Sequence, residues 1–188
     1  LFALAAQEEV ESRLVSGDGQ TQPWRLQHGP FKPRALPPTS RPNWTLLVQG
    51  VDVHEQAFAQ LRDRFRFIPD ARLDDVMVSY ASDGGGVGPH FDSYDVFLLQ
   101  AQGQRRWRIG AQKNLALLPG LPLKILAQFT PSKTMVLGPG DMLYLPPHYA
   151  HEGVALGECM TYSIGFRSPE RHELAGELLA RLSDAQAD

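Results

Sequence analysis

A histidine and an aspartate two positions apart, His90 and Asp92, lie in the segment "GGGVGPHFDSYDVFLLQ". Alternate residues of a strand point to the same face, so the two side chains project together, followed by Tyr94, Val96 and Leu98 if the strand is regular. Imidazole nitrogen and carboxylate oxygen are both common metal ligands. The pair alone is more typical of a turn with polar residues at a strand edge, so a metal site requires a third ligand from elsewhere.

Candidates for a third ligand cluster further along the chain, in the segment "GPGDMLYLPPHYAHEG", which contains His148 and His151. The remaining histidines lie in an N-terminal arm and in predicted helices: His28, His54 and His172. We favour His151, because His148 directly follows two prolines and is expected to shape the turn, but His148 stays open as the alternative. Two histidines and one carboxylate form the facial triad that binds non-haem Fe(II) and leaves coordination positions open for a co-substrate and O2.

Two predicted strands could line a cavity beside such a metal. In "LDDVMVSY", Asp75, Met77 and Ser79 share one face, which suits a partly polar cavity, although a solvent-exposed face is the alternative. In "QRRWRIG", Arg105 shares a face with a tryptophan and an isoleucine, so it is expected to be buried and to need an anionic partner. The alternative is a hairpin strand with three basic residues on the surface. Because a guanidinium matches a carboxylate in two parallel hydrogen bonds, Arg105 is a candidate for holding a dicarboxylic co-substrate, with Ser79 as a second contact.

The elements that must position these residues are mainly short strands. From residue 73 onwards, turn signals such as "DGGGVGP" and "GPGD" separate predicted strands at "LDDVMVSY", "YDVFLLQA", "RRWRIG", "LKILAQFT", "TMVLG", "DMLYLPP" and "CMTYSIGFR". Many short strands at this spacing are typical of an antiparallel barrel or sandwich. We interpret the pattern as a jelly-roll barrel.

Helices are predicted on both sides of this barrel. The first dozen residues predict a short helix, residues 20–44 a Pro-rich arm, and "WTLLVQGV" a buried strand. Apolar residues at helical spacing in "DVHEQAFAQLRDRFRFIP" predict a second helix, and Ser168 with Pro169 predicts the start of a C-terminal helix. The chain is thus expected to be one domain, with helices and arm over 1–70, a barrel core over 71–168 and a helix over 169–188.

The composition argues against several function classes. The 188 residues carry 18 basic and 21 acidic side chains, so no global positive field favours direct nucleic-acid binding, whereas a basic protein partner is compatible. The start "LFALAAQEEVESRLV" lacks the basic region of a signal peptide, and no apolar run is long enough to predict a membrane span. The single cysteine, Cys159, can form no internal disulfide, which is compatible with a reducing cytoplasm, the expected location.

Beyond these patterns, long segments of the chain resemble a known family. "DDVMVSYASDGGGVGPHFDSYDVFLLQAQGQRRWRIG" and "PGDMLYLPPHYAHEG", with "MTYSIGFRSP", resemble the bacterial ribosomal-protein hydroxylases of the JmjC/cupin group. More narrowly, they resemble the arginine 3-hydroxylases that act on a large-subunit ribosomal protein. The segments "EVESRLV", "HGPF" and "NWTLLVQGVD" extend the resemblance over nearly the whole chain, and "GPHFDSYDVF" joined to "RRWR" is specific to that subfamily.

The resemblance implies a mainly β fold with flanking helices, a double-stranded β-helix, that uses Fe(II), 2-oxoglutarate and O2 to hydroxylate C3 of an arginine side chain in a basic loop of a ribosomal protein. Carried over by position, the iron ligands and catalytic residues would be His90, Asp92 and His151. Arg105 would pair with the distal carboxylate of 2-oxoglutarate, with Ser79 beside it. The pocket for the substrate arginine would be bordered by Asp75, Met77 and Tyr94.

The chain departs from the family in three respects. Family members usually carry an N-terminal segment before the first helix predicted here. Thr161 stands where the resemblance implies a more amide-like residue near the co-substrate. Family members also carry dimerisation helices and a winged-helix-like domain after the region that ends here at Asp188, so we expect a catalytic fragment or a shorter protein, and a full-length form could be a homodimer. Two other functions stay open: hydroxylation of another residue, such as histidine in a ribosomal protein, and a metal-binding cupin that recognises a partner without turnover.

Overall fold

The computed structural model of the protein describes residues 1–167 and 171–185. Within them, one antiparallel sheet of eight strands runs in the order β2-β1-β3-β4-β8-β5-β6, with β7 also paired to β5. The strands are β1 (Ser12–Ser16), β2 (Arg25–His28), β3 (Trp44–Val48), β4 (Leu73–Ala81), β5 (Val96–Gly110), β6 (Lys133–Leu137), β7 (Met142–Leu145) and β8 (Ala150–Phe166). The helices are α1 (Val51–His54), α2 (Gln56–Asp63) and α3 (Arg171–Ala185), with short 3-10 helices at Leu4–Ala6, Pro33–Ala35 and Asp70–Arg72.

The barrel is built around the long strands β5 and β8, which pair along almost their whole length. The first part of β5 also pairs with β7, whereas its last part pairs with β6. A register shift between Gln100 and Gln104 separates the two parts, and Gly103 there adopts a φ of 63°. Such a bulge bends a strand and increases its twist, so β5 can change partner without ending. The jelly-roll prediction is confirmed, but the two strands predicted in "YDVFLLQA" and "RRWRIG" are one bulged strand.

Apolar side chains from alternate strand positions fill the space on either side of the sheet. Val96, Leu98, Trp107 and Leu145 form a buried cluster between β5 and β7. A second cluster covers the opposite end of the sheet and contains residues of the N-terminal segment, β1, β3 and β4, and it includes Trp44. The predicted alternation holds in both candidate lining strands, since Val76 and Val78 of β4 are buried, and Arg105 and Trp107 of β5 are buried while Arg106 is exposed.

The N-terminal predictions were partly wrong. Only Leu4–Ala6 form a helical turn, and Ser12–Ser16 form a strand because they pair with β3 and bury Leu14 and Val15. The predicted arm contains β2, which forms a hairpin with β1. The Asp18 side chain holds the turn of this hairpin, accepting backbone N–H groups from three residues that follow it. Long-range pairing therefore decided a segment whose local pattern suggested helix and loop.

Two further predictions required correction. The predicted second helix is broken at Glu55, which is extended with a φ of −129°, so Val53 falls on a short separate helix and is 77% exposed. The predicted strand "LKILAQFT" is irregular, and only an isolated bridge between Leu117 and Leu126 occurs there. Its apolar residues Ile125 and Leu126 are buried against the loop before His90 rather than in the sheet, which explains their pattern. The predicted cap of the C-terminal helix at Ser168 and Pro169 lies outside the described residues. None of the helices described here is long and apolar enough to cross a membrane.

Candidate metal centre

Three side chains that could hold a metal ion meet at one end of the barrel. The ligand atoms of His90, Asp92 and His151 all lie within 4.8 Å of one another. Backbone hydrogen bonds hold the two histidines together: the N–H of His90 donates to the carbonyl of His151 at 2.9 Å, and the reverse bond measures 2.8 Å. The chain bends after Asp92, and β5 begins only at Val96, so the regular strand expected over these residues is absent. A single bridge to β8, rather than a strand, brings the ligands together.

Hydrogen bonds to the backbone orient both histidine rings. Nδ1 of His90 lies 3.0 Å from the carbonyl oxygen of Gly88, and Nδ1 of His151 lies 2.9 Å from that of Tyr149. A carbonyl oxygen can only accept, so each Nδ1 carries the proton and donates it. Each Nε2 then keeps a lone pair, which is the form of histidine that binds metal, with the other nitrogen fixed by a hydrogen bond.

The electrostatics also favour a neutral His151. Burial, the nearby His90 and the hydrogen bond to Tyr149 act on this ring, and burial dominates, which lowers its pKa to about 3. Its Nε2 lies 3.6 Å from Oδ2 of Asp92. At neutral pH His151 is therefore an uncharged nitrogen donor beside one carboxylate. Two imidazole nitrogens and one carboxylate oxygen are the donor set of a facial Fe(II) site, so the residues fit that metal.

His148 takes a different role from His151. It adopts a φ of 63°, in the left-handed region, and its backbone N–H donates to the carbonyl of Asp92 at 2.7 Å. Its side chain does not join the cluster formed among the described residues. His148 thus shapes the turn after Pro147, as expected, and helps to fix the backbone that carries Asp92.

Arg105 is a buried cation without a counter-ion. Its side chain is 6% exposed, and it forms no ion pair with any described residue. One Nη donates weakly to Sγ of Cys159 at 3.5 Å, the guanidinium lies 5.8 Å from the Trp107 ring centre, and Nε has no partner. A guanidinium stays protonated, and burying it unpaired is costly, so this site favours an anionic ligand.

Arg105 and His151 lie on the same face of the paired strands β5 and β8. Ile109 is opposite His151, Trp107 is opposite Gly153, and Arg105 is opposite Ala155. Ile109 follows Arg105 by four residue steps along the strand, a distance of about 13 Å between backbones. A Cβ at Gly153 would lie 2.8 Å from the Trp107 ring and 3.0 Å from Cδ of Arg105. The absence of a side chain at Gly153 therefore leaves the room in which the guanidinium lies.

Polar groups of β4, β5 and β8 lie on the same sheet near Arg105. The Ser79 hydroxyl is buried and donates to the carbonyl of Thr161 at 3.2 Å. The Thr161 hydroxyl donates to Oε1 of Gln100 at 2.8 Å, and Gln100 is fully buried. Thr161 thus departs from the amide expected by resemblance, while an amide is supplied by the neighbouring strand.

Asp75 is held on one side only. Its Oδ2 accepts from Nε2 of Gln49 at 2.8 Å and from the backbone N–H of Gly50 at 2.7 Å, whereas Oδ1 has no hydrogen-bond partner among the described residues. Burial is the main cause of a raised pKa for this carboxyl group. The side chain of Arg13 donates to Oε1 of Gln49 at 3.2 Å, which orients the amide so that its NH2 faces Asp75.

Met77 and Tyr94 share neighbours with Asp75 and the metal ligands. Nη2 of Arg13 lies 3.9 Å from Sδ of Met77. Burial raises the pKa of Tyr94, and the charges of Asp92 and Asp75 raise it further while Arg13 lowers it. Tyr94 therefore lies within electrostatic reach of both carboxylates, although it is 39% exposed. The structure brings the three residues predicted to border a substrate pocket into one neighbourhood.

Sequence reasoning assigned no role to four residues of this neighbourhood: Arg13, Gln49, Gly153 and Cys159. Two of them stand in segments that carried the family resemblance, "EVESRLV" and "NWTLLVQGVD", but their partners are distant in the chain. Gly153 follows the "HE" of the metal-site segment, and the motif predicts no role of its own for this glycine. No local pattern indicates these contacts, because each joins strands that are not consecutive.

Comparison with known proteins places this barrel in a family. Residues 60–174, more than half of the chain, match the JmjC domain. The chain belongs to the JmjC domain family. The matched part of this JmjC domain contains the His90, Asp92 and His151 cluster together with Arg105.

The chain as a whole is also similar to individual proteins. It is 46% identical over 178 residues to the "Ribosomal protein uL16 3-hydroxylase" of Escherichia coli strain K12, which covers 93% of this chain and 46% of that protein. It is 36% identical over 177 residues to a "Probable ribosomal oxygenase" of Haemophilus influenzae, and the alignment covers 93% of this chain and 43% of that protein. The structure of YcfD, a ribosomal oxygenase from Escherichia coli, in complex with cobalt and 2-oxoglutarate superposes with a TM-score of 0.81 at 41% identity, covering 98% of this chain and 47% of that one. The chain spans less than half the length of each of these relatives.

Proposed function

We propose that the protein is an Fe(II)- and 2-oxoglutarate-dependent oxygenase that hydroxylates C3 of an arginine side chain in a large-subunit ribosomal protein. The observation that carries the proposal is Arg105, a buried and unpaired guanidinium on the barrel face that also presents the metal-ligand cluster. The relatives support it, since one is named as a hydroxylase of ribosomal protein uL16 and the YcfD structure holds cobalt with 2-oxoglutarate.

In this proposal, His90, Asp92 and His151 hold the metal, and the rest of the barrel end positions the reactants. Bound Fe(II), with 2-oxoglutarate and O2, supplies the oxidation that adds one oxygen atom to an unactivated C–H bond. The two Nε2 atoms and the Asp92 carboxylate would provide three donors to the metal, the number and types typical of a non-haem Fe(II) site with positions open for exchangeable ligands. The backbone bonds between His90 and His151 keep this donor set in place before the metal binds.

Arg105 would hold the distal carboxylate of 2-oxoglutarate, since it is a buried cation without a counter-ion among the described residues. The separation of about 13 Å between the backbones of Arg105 and Ile109, opposite His151, leaves space for a five-carbon dicarboxylate once the two side chains extend toward it. Ser79 lies on β4, which pairs with the other edge of β8, and would contribute a hydroxyl as a second contact. Trp107, between Arg105 and His151, excludes water from this part of the pocket.

A guanidinium substrate suits the free oxygen of Asp75. Because Oδ2 is already bonded to Gln49 and Gly50, the incoming cation pairs with Oδ1, and Met77 and Tyr94 contact its aliphatic part. The carboxylate also favours arginine over a neutral histidine, the alternative substrate. The proposal includes a ribosomal protein with a basic loop as partner, a cytoplasmic location where ribosomal proteins are made, and a homodimer for a longer form of the protein.

The proposal is tested by incubating the purified protein with Fe(II), 2-oxoglutarate and ribosomal proteins. We expect succinate to form and one arginine of one large-subunit protein to gain the mass of an oxygen atom in peptide mass spectrometry. If the mass of an oxygen atom is gained by a histidine instead, the protein is a histidine hydroxylase, the alternative function. If metal binds but neither succinate nor a mass gain appears, the protein is a recognition module without turnover.

Two histidine variants provide a matched control for the metal site. We expect His151→Ala to abolish succinate formation and cobalt(II) binding, since it removes a buried ligand. His148→Ala should retain cobalt(II) binding, because that side chain lies outside the cluster. Equal loss in both variants would show that the ligand set is assigned wrongly.

A further inference from the structure

A cleft outside the metal centre has no place in the proposed reaction. It has a volume of about 530 Å³ and lies between the β1–β2 hairpin and the arm that follows it, closed at one side by Pro122. Its polar lining includes Arg25, Gln27 and Arg41, and Trp24 and Pro37 contribute apolar walls. A cleft of this size matches the range of pockets that bind small ligands.

The charge of this cleft is not neutralised by the protein. Arg25 and Arg41 are exposed and form no ion pair with the described residues. Between Asp18 and Asp52 the chain contains no acidic residue, although it contains four of the 18 basic ones. The Asp18 carboxylate is engaged by its own turn, where it accepts from Gln20, Thr21 and Gln22. The cleft is thus a locally positive site on a chain whose net charge is −3.

Flat apolar surfaces accompany the two cations. Trp24 is only partly buried, unlike Trp44 and Trp107, which are 1% and 4% exposed. A charged groove combined with an accessible aromatic ring is the arrangement by which proteins bind single-stranded nucleic acid: the cations contact phosphates, and bases stack on the ring. The Gln27 amide adds a donor and an acceptor suited to the edge of a base. An acidic peptide would use the guanidinium groups but not the aromatic wall.

The cleft is physically connected to the metal centre. A Cβ at Gly88 would lie 3.0 Å from Cζ2 of Trp24, so the indole packs against that glycine. The carbonyl of Gly88 accepts from Nδ1 of His90. Pro122 belongs to the same loop as Leu126, whose N–H donates to the carbonyl of Pro89. A ligand in the cleft would therefore be separated from the segment that carries His90 by the Trp24 side chain.

We propose that the Trp24–Arg41 cleft binds single-stranded RNA, with phosphates on Arg25 and Arg41 and a base stacked on Trp24. The inference rests on the charge and shape of the cleft and stands independently of the proposed hydroxylation. If both hold, the protein contacts a ribosomal protein and adjacent RNA at once. The global net charge hides this site because acidic residues elsewhere in the chain outweigh it.

The test is fluorescence anisotropy with a short labelled oligoadenylate, on protein without Fe(II) or 2-oxoglutarate. We expect the double variant R25A/R41A to bind at least about tenfold more weakly, and its slope of log affinity against log salt to fall by about 1.4 for two lost phosphate contacts. Trp24→Leu should weaken binding roughly tenfold through lost stacking, whereas Trp24→Phe should retain most of it. The matched control, R64A/R106A, removes two exposed, unpaired arginines outside the cleft and should stay near the wild-type affinity.

Three results would overturn the proposal. One is an unchanged affinity and salt slope in R25A/R41A, and another is an equal loss in R64A/R106A. The third is displacement of the oligonucleotide by an oligoglutamate peptide at comparable concentration, which would assign the cleft to acidic peptides. The same assay with adenosine monophosphate separates a site for a free nucleotide from one that needs a strand, and tight binding of the monophosphate alone would contradict RNA as the ligand. Because no metal or co-substrate is present, the outcome does not depend on turnover.

Discussion

At the scale of single residues, the site depends on side chains whose charge is set by their surroundings. His151 is kept neutral by burial, with its pKa near 3, whereas Arg105 stays cationic in an equally buried position because a guanidinium cannot lose its proton under these conditions. A neutral ligand and a fixed cation on one face of the paired strands β5 and β8 suit a molecule with a chelating end and an anionic end. 2-Oxoglutarate has both.

The proposed role of Arg105 in binding 2-oxoglutarate is tested by comparing its alanine variant with that of Arg106, which lies on the opposite face of β5. We expect Arg105→Ala to raise the dissociation constant for 2-oxoglutarate by at least about 30-fold, because it removes one partner of a buried charge pair. Arg106→Ala removes the same charge from the exposed face of β5 and should leave the affinity within about twofold. Calorimetric titration of the cobalt(II)-loaded protein measures both. Similar affinities for the two variants would exclude Arg105 as the carboxylate anchor.

At the scale of elements, the pairing of β5 with β8 sets the spacing of the site. The bulge between Gln100 and Gln104 allows β5 to pair with β7 before it and with β6 after it. The regular pairing beyond the bulge aligns Arg105, Trp107 and Ile109 with β8. Gly153 lies in the middle of this aligned segment, opposite Trp107. The shape of the pocket therefore depends on one position without a side chain.

We expect Gly153→Ala to weaken 2-oxoglutarate binding roughly tenfold, since its Cβ would overlap the Trp107 ring and crowd Cδ of Arg105. Cobalt(II) binding should persist, because the added Cβ would meet Trp107 and Arg105 rather than a residue of the ligand cluster. Gly176→Ala in α3 is the control, as nothing lies within 4 Å of its added methyl group. An unchanged affinity for 2-oxoglutarate in Gly153→Ala would mean that the strands adjust and that Gly153 does not shape the pocket.

At the scale of the whole molecule, the site lowers stability in a pH-dependent way. The raised pKa of Asp75 means that the folded protein holds this proton more tightly than the unfolded chain, whose value is 3.8. The ionised carboxylate therefore lowers the free energy of unfolding as the pH rises from 3.8 through the folded-state pKa. Such a penalty is typical of a site arranged for a ligand.

Asp75→Asn should consequently be more stable than the wild type at pH 7, and the gain should vanish as the pH falls toward 3.8. Each kcal/mol of gain raises the melting temperature by about 2–4 °C for a chain of this size. Thermal unfolding over a pH series measures the effect, with Asp70→Asn, an exposed carboxylate, as the control that should show little change. A variant that is less stable than the wild type at pH 7 would contradict the penalty assigned to Asp75.

The sequence by itself determined the features that depend on neighbouring residues. Alternation along a strand is local, so the buried position of Arg105 could be predicted, as could the jelly-roll class. His90 and Asp92 do meet in the cluster, although the regular strand predicted for them is absent. The family resemblance supplied the co-substrate. The strand predicted at "LKILAQFT" and the helix predicted over the first dozen residues were wrong. In both segments the apolar residues are buried against distant parts of the chain, so their pattern does not reflect a regular strand or helix.

Only the tertiary structure decided which distant groups meet. His151 rather than His148 joins the cluster because the left-handed backbone at His148 turns the chain so that β8 begins beside His90. Three features join segments that are far apart in the chain: the hydrogen bonds from Gln49 and Gly50 to Asp75, the space at Gly153, and the cleft between Trp24 and Arg41. Their energies arise from contacts between non-consecutive elements, and no pattern within one element encodes such contacts.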